Sequence, residues 1–475
     1  MTTIRLADHD WLSAPADAPA NTRWEGLIDP AGITTIAQLG FWAWDSSTMQ
    51  AGAAQVRLLD ADGQLDDAAL SGLAGETVAL KIADLDGSLA DAAPLARYIV
   101  ERLTIDGDGR KTLTLRDAHD ALDKQVLNPG TFAADVAGLA GQPQPMSIGA
   151  VFNAPVLLTG SDRSVGWLAD APQVVAVLRD RGDPMEWGTF ELDTYQQQVL
   201  LASPALGPMT ANISSIGVVG GETSGNPVPA TMAQALREVM RRSGITAWSL
   251  ADATAIDTAT GYAGIGYYAA QPVMPRTVLA AICNTYGAWY FQDGSGVLRL
   301  TRIVNPDGLT PIMAIDGADL VGDLVHTPDT APGLTTRMAF QLNYRPMRDA
   351  EFVSDLADVP HELRAQLAAP QGGIVTAAGA DTLPEQYRAA QQAEPFPSLF
   401  WSPADAQAEI DRVVAMYQTV RRNWVVALRS DTAPQPGQCC RLTYPRHGLE
   451  EGRNLLVRRV EHNPATGDLK LTLWG

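Results

Sequence analysis

From Pro436 to the final Gly475 the chain reads as three short strands joined by polar turns, and the sequence stops on the last strand. Pro445, Gly448 and Gly452 punctuate one turn, and Asn463, Pro464 and Gly467 the other. A chain that ends inside a β-meander has its terminus tied into a sheet. This argues for a mainly β fold with minor α content. No nucleophile, metal cluster or phosphate loop lies in the stretch, so local physics points to a fold class and not to a chemistry.

The length of 475 residues exceeds what one hydrophobic core supports. Apolar residues make up 46% and charged residues 19%, as in a globular chain with sizeable interiors. The 42 Gly and 31 Pro suit many turns between short strands. Lys plus Arg number 34 against 54 Asp plus Glu, a formal charge of -20. That surface repels nucleic acid and argues against a duplex-binding basic face, although an acidic wall lets DNA slide past without sticking. The three Cys (Cys283, Cys439, Cys440) are too few for a disulfide framework and fit a reducing compartment. Cys439 and Cys440, adjacent on a strand, point to opposite faces. The N-terminus lacks a signal-peptide pattern, and no apolar run approaches the roughly 20 residues of a membrane span. The expectation is a soluble protein made in a cytoplasm, with no membrane insertion of its own.

The pattern divides the chain into a β domain over 1–135, a middle β domain over 136–225, an α+β domain over 226–310 and a C-terminal β domain over 311–475. Strands are expected at 53–60, 76–83, 98–105, 111–116, 147–158, 173–179, 190–192, 199–201, 210–219 and 335–344, and a hairpin at 288–303. Helices are expected at 231–243, where Met232, Leu236, Val239 and Met240 share a face, and at 275–286, with Val278, Leu279, Ile282 and Cys283 inward. The strongest helix is 403–421, with Ile410, Val413, Val414 and Tyr417 on one stripe. Residues 346–402 read as an inserted arm with two helical patches, near 360–367 and 384–392.

Asp60-Ala-Asp-Gly63 and Asp106-Gly-Asp-Gly109 lack the ligand spacing of a calcium loop and read as turns. The glycine-rich runs at 217–221 and 261–266 lack the strand and helix context of a dinucleotide site. The six His form no paired metal spacing, and no nucleophile elbow is present. Carboxylate pairs such as Glu186 and Glu191 carry little information in so acidic a chain. No catalytic, cofactor or metal residue is therefore assigned. Phe396, Phe400 and Trp401, in the inserted arm just ahead of a helix, are the candidate interface residues, because aromatics in an arm are common anchors against a partner.

Four blocks in order carry a family resemblance. They are Val56-Arg-Leu-Leu-Asp-Ala-Asp-Gly63-Gln-Leu65-Asp66; Gly141-Gln-Pro-Gln-Pro145 running into Gly149, Asn153 and Pro155, then Val177-Leu-Arg-Asp180-Arg-Gly182; Ala288-Trp289-Tyr-Phe-Gln-Asp293-Gly-Ser-Gly296; and Leu442-Thr-Tyr-Pro445-Arg-His-Gly448, closing on Trp474 and Gly475. Together the chain resembles baseplate or tail-tip hub proteins of long-tailed double-stranded DNA phages, and 346–402 is the part that matches least. The resemblance implies a structural virion protein, not an enzyme, with β-barrel domains related to the tail-tube fold, at 1–135 and 311–475 here. It implies a homotrimer, with a hexamer as the alternative, whose ring adapts a sixfold tube to a threefold tip. The implied partners are a distal tail or tail-tube protein, a central fibre or spike protein, the tape-measure protein and DNA in transit. No cofactor is expected, since three Cys do not reproduce the iron-sulfur site of some relatives. The rival readings are a tail-borne cell-wall hydrolase, a host-glycan-binding tail protein with an exposed platform such as Trp187 or Trp401, and the sixfold distal tail ring itself.

Overall fold

The computed structural model describes residues 4–475 except 40–51, 61, 64, 67–71, 84–87, 106–109, 120, 125, 160–162, 194–196, 216–226, 329–334, 355–358, 384–386 and 388–393. The Phe41–Trp44 run, the Asp106–Gly109 turn, the 217–221 glycines and nearly all of the 384–392 helical patch lie outside the described residues.

The chain is mainly β with a few packing helices. The terminal meander forms as its pattern dictates: Cys439–Thr443, Arg453–Asn463 and Asp468–Trp474 are consecutive antiparallel strands. Alternation at period two sends Leu469, Leu471 and Leu473 to one face. Leu471 sits opposite both Val426 and Val460, and these residues share a core with Trp424, Leu428, Leu442, Leu455 and Val457. Each fully buried aliphatic side chain there contributes roughly 1.5–3 kcal/mol.

This meander does not end the sheet. Arg453–Asn463 also pairs, antiparallel, with Ile28–Gln38 near the start of the chain. The result is an 11-stranded sheet. Its path runs Val325–Pro328, Arg422–Arg429, Asp468–Trp474, Arg453–Asn463, Ile28–Gln38, Ala53–Leu58, Lys111–Asp117, Ala93–Ile105 and Thr77–Ile82. Met313–Asp316 and Cys439–Thr443 branch from it. The N-terminal half packs its own core of Ala54, Val56, Leu58, Tyr98, Val100, Leu113 and Leu115.

The Asp60 loop at the end of one of these strands is a turn, held by a lysine. Buried Lys111 pairs with buried Asp60 and lies 2.7 Å from Asp66, while Asp60 Oδ2 accepts the Leu65 amide at 2.9 Å. The ammonium occupies the position a bound cation would need.

A second, eight-stranded sheet is centred on Met146–Thr159. It includes Val165–Trp167, which the sequence pattern did not suggest, and it takes Gly266–Ala269 from beyond the linker as a further partner of Met146–Thr159. Helices Met232–Ser243, Pro275–Thr285 and Pro403–Tyr417 form where their apolar stripes predict. Thr231 and Gln234 cap the first reciprocally, and Gly244, at φ +68°, ends it. The three helices enclose the largest core together with the Ala288–Gln292 and Leu298–Arg302 hairpin, Leu456 and Trp474. Helix Leu250–Thr260 is an addition: it buries only Ala253 and Ile256, too little to leave a periodic signal.

The 346–402 segment departs from the expected arm. Its described residues fold onto the body. Helix His361–Ala368 and strand Gln371–Thr376 form, the strand pairs with Arg337–Leu342, and Met347, Phe352, Val359 and Leu367 are buried with Phe152. Strand Gln371–Thr376 has only Ile374 and Val375 as apolar residues, so its sequence reads as loop.

Leu471→Ala is expected to lower the unfolding free energy by about 2–5 kcal/mol in denaturant titration. A loss below ~1 kcal/mol would show that this position is not part of a close-packed core.

Candidate assembly surface

The path of the large sheet ends on two outer strands, and the branch strand Met313–Asp316, paired only with Cys439–Thr443, is a third. Thr77–Ile82 pairs only with Ala93–Ile105, and Val325–Pro328 only with Arg422–Arg429. Among the described residues, each therefore presents a row of backbone N–H and C=O groups without a ladder partner, the arrangement onto which another strand can add. On the first edge Val78 and Leu80 lean on the N-terminal core, while Thr77, Ala79 and Lys81 are exposed. On the second, His326 turns inward, its ring 5.0 Å from Trp424 and 4.8 Å from His447. Val325 is 53% exposed, and Val321, whose amide donates to Ala427 O on the neighbouring strand, is exposed as well. This edge holds aliphatic side chains in solvent that no core of the chain covers.

The three aromatic candidates lie elsewhere. Phe400 is 0% exposed, with its ring 5.1 Å from Tyr262 and 5.5 Å from Tyr286. Its carbonyl accepts from Gln341 N, and its neighbours bond to Thr285, Gly264 and Gly266. Phe396 is half-buried in the short strand Phe396–Pro397, parallel to Arg337–Leu342, and half-buried Trp401 packs against the Phe152 cluster. The expectation of Phe400 as a partner anchor is corrected: the segment is a strap through the middle of the fold, because its backbone is bonded on both sides. Trp401 likewise offers no open ring platform.

The strap leads directly into helix Pro403–Tyr417, which is fastened by a charge network. Glu409 is 0% exposed. It pairs with Arg302, accepts from Arg412 at 2.5 and 2.9 Å, and accepts the Tyr262 hydroxyl at 2.9 Å. Arg302 Nε also donates to Tyr286 O, and Arg412 Nη1 to Ile303 O. Burial by itself would push the Glu409 carboxyl up, but the Arg412 and Arg302 guanidiniums outweigh it and hold the group below the ordinary carboxylate range. Gly287, at φ +58°, lies where a Cβ would meet Arg412 Nη2 at 2.3 Å and Glu409 Oε1 at 2.5 Å, so no larger residue fits beside the network. The sequence analysis did not single out Glu409 or Arg412; their spacing of three on a helix was the available signal.

Trp187, by contrast, is 59% exposed, with its ring 4.8 Å from Phe190 on the middle sheet. Among the described residues, no group of three His, Cys, Asp or Glu side chains is placed to hold a metal ion.

No family model and no curated protein matches the chain. Three solved structures are similar to it along nearly its whole length. A tail protein from Neisseria meningitidis MC58 is 9% identical, with 96% of this chain and 93% of that one covered and a TM-score of 0.42. A prophage tail protein from Listeria monocytogenes EGD-e gives 9%, 97%, 93% and 0.42 in the same order. A 43 kDa tail protein of a Shewanella oneidensis prophage gives 10%, 95%, 94% and 0.40. Likenesses this loose decide neither activity nor partners.

Glu409→Ala strands two arginines in the interior and is expected to cost about 3–5 kcal/mol of stability, read by chemical denaturation. The depressed Glu409 carboxyl contributes stability above its unfolded pKa, near 4.3, and that contribution is lost as pH falls through the lower folded value. Wild-type stability is thus expected to fall below about pH 4 more steeply than that of Glu409→Ala; parallel acid limbs would contradict this.

Proposed function

We propose that the chain is a structural protein of a phage tail tip, a hub whose N-terminal and C-terminal sheet modules close with copies of themselves around a hollow axis. One observation carries the reading. The start and the end of the chain share a single 11-stranded sheet, and among the described residues the strands at both ends of its path have one unpaired side. A self-contained monomer gains nothing from two long-range modules joined side by side with edges free at either end. A ring-forming subunit needs that arrangement, because each free edge can extend into the neighbouring copy.

The rest of the proposal comes from the sequence resemblance. Two tube-like modules per subunit, within 1–135 and 311–475, make a trimer pseudo-sixfold, which suits a position between a sixfold tube and a threefold fibre or spike. The distal tail protein then binds above and the fibre or spike below, with the tape-measure protein ending in the channel. A charge of -20 keeps exiting DNA from adhering to the wall. The role is assembly and passage, with no chemistry of its own. A second reading, host-glycan binding, is favoured by one feature, the exposed Trp187 ring on the middle sheet. It is compatible with the first and is tested separately by a glycan array.

Val325→Asp places a charge on the free edge at an exposed position. The melting midpoint is expected to stay within ~2 °C of wild type, as for ordinary surface substitutions. Electron micrographs of tails assembled with the wild-type chain are expected to show a closed ring of copies meeting edge to edge, and tails assembled with the variant to lack it. Solitary subunits in wild-type tails, or rings unchanged by Val325→Asp, would remove the proposal.

A further inference from the structure

Several partly buried arginines in this protein are paired with carboxylates. Arg302 and Arg412 have Glu409, Arg242 has Asp170 and Glu238, and Arg276 has Asp117 and Asp123. Arg179 differs from these four: it has no carboxylate partner among the described residues. It lies on strand Gln173–Asp180 of the middle sheet and is 5% exposed. Its neighbour Leu178 enters the middle core, so alternation sends Arg179 to the opposite face. There Nη1 donates to Asn212 Oδ1 at 3.0 Å, its one hydrogen bond among the described residues. Nε is buried with no acceptor, and no described carboxylate pairs with the guanidinium. Burial pushes its pKa down to about 10, with no nearby charge opposing that fall, and the group remains a cation at neutral pH.

An uncompensated buried cation is among the most costly features a fold can hold, and arginine does not escape by losing its proton. The bare side of this one has a definite shape. With Nη1 engaged, the Nε and Nη2 edge is left, two parallel donors spaced for two oxygens of one carboxylate or phosphate. Directly across the ladder from Arg179 stands Thr210, whose Oγ1 is also buried without a partner. Asn153 Oδ1 is a third orphan, and Asn153 joins the cluster through its amide, which donates to Asn212 Oδ1 at 3.1 Å. An amide oxygen is neutral and cannot balance the guanidinium.

We propose that the Nε and Nη2 edge of Arg179, with Thr210 Oγ1 opposite, is the binding site of a small oxyanion of the carboxylate or phosphate class. The ion completes the hydrogen bonds of both side chains and supplies the missing negative charge. The site does not depend on whether the chain forms rings.

Inorganic phosphate and acetate, each titrated at ionic strength held constant with chloride, provide the test on the full chain. The wild-type melting midpoint is expected to rise by ~2 °C for each tenfold increase above the dissociation constant of at least one of them. Phosphate alone would identify a tetrahedral oxyanion, and acetate a carboxylate. Arg179→Met is expected to show no rise. Arg179→Lys, which keeps the charge and loses the fork, is expected to show a much smaller one, and it serves if the methionine variant does not fold. A flat wild-type response to both anions, or either variant rising as much as wild type, overturns the proposal.

Discussion

The fold depends on an antiparallel ladder between the two ends of the chain. Arg459 lies opposite Gln38, Val460 opposite Ala37, Glu461 opposite Ile36 and His462 opposite Thr35. Side chains reinforce the seam: Arg459 Nη1 donates to Gln38 Oε1 at 3.0 Å, Thr35 Oγ1 to His462 O at 3.1 Å, and Asn463 Nδ2 to Pro30 O at 2.9 Å. Each such bond is worth only about 0.5–1.5 kcal/mol net. The cost of closing so long a loop grows only with the logarithm of its length, so a modest ladder flanked by two apolar cores suffices. Without it each half would present an additional open edge. With it, the edges at Thr77–Ile82 and Val325–Pro328 are the two that remain on the sheet's path.

Two buried charge networks hold the molecule together, and Arg179 contrasts with them, having no carboxylate partner among the described residues. Glu409 joins helix Pro403–Tyr417 to the hairpin through two arginines and a tyrosine. Lys111 clasps the Asp60 turn in the same way. In both places every buried charge meets its opposite within a short reach, since a low-dielectric interior penalises any that does not. These networks orient elements that pure apolar packing would leave free to slide.

Legibility followed periodicity. The terminal meander and the helices with a full apolar stripe could be read directly, because alternation or a 3.6-residue repeat is written into neighbouring residues. Helix Leu250–Thr260 was invisible, since two buried residues make no stripe. Strands Val165–Trp167, Gly266–Ala269 and Gln371–Thr376 were missed for a related reason. They are short, each interrupted or opened by glycine or polar residues, and they pair with a longer or better-patterned strand. Phe400 was misread because an aromatic in an irregular stretch looks the same whether a partner or the chain itself covers it.

By itself, the sequence determined the fold class, the helices with apolar stripes and the absence of any local catalytic or metal motif. Tertiary structure alone decided that the two ends would share a sheet, that the 396–401 segment would become an internal strap, and that Arg179 would be buried with no counter-charge among the described residues. The physical reason is range. Propensity and alternation act between residues a few positions apart, whereas backbone pairing is nearly blind to side-chain identity and its partners are chosen by the packing of the whole chain.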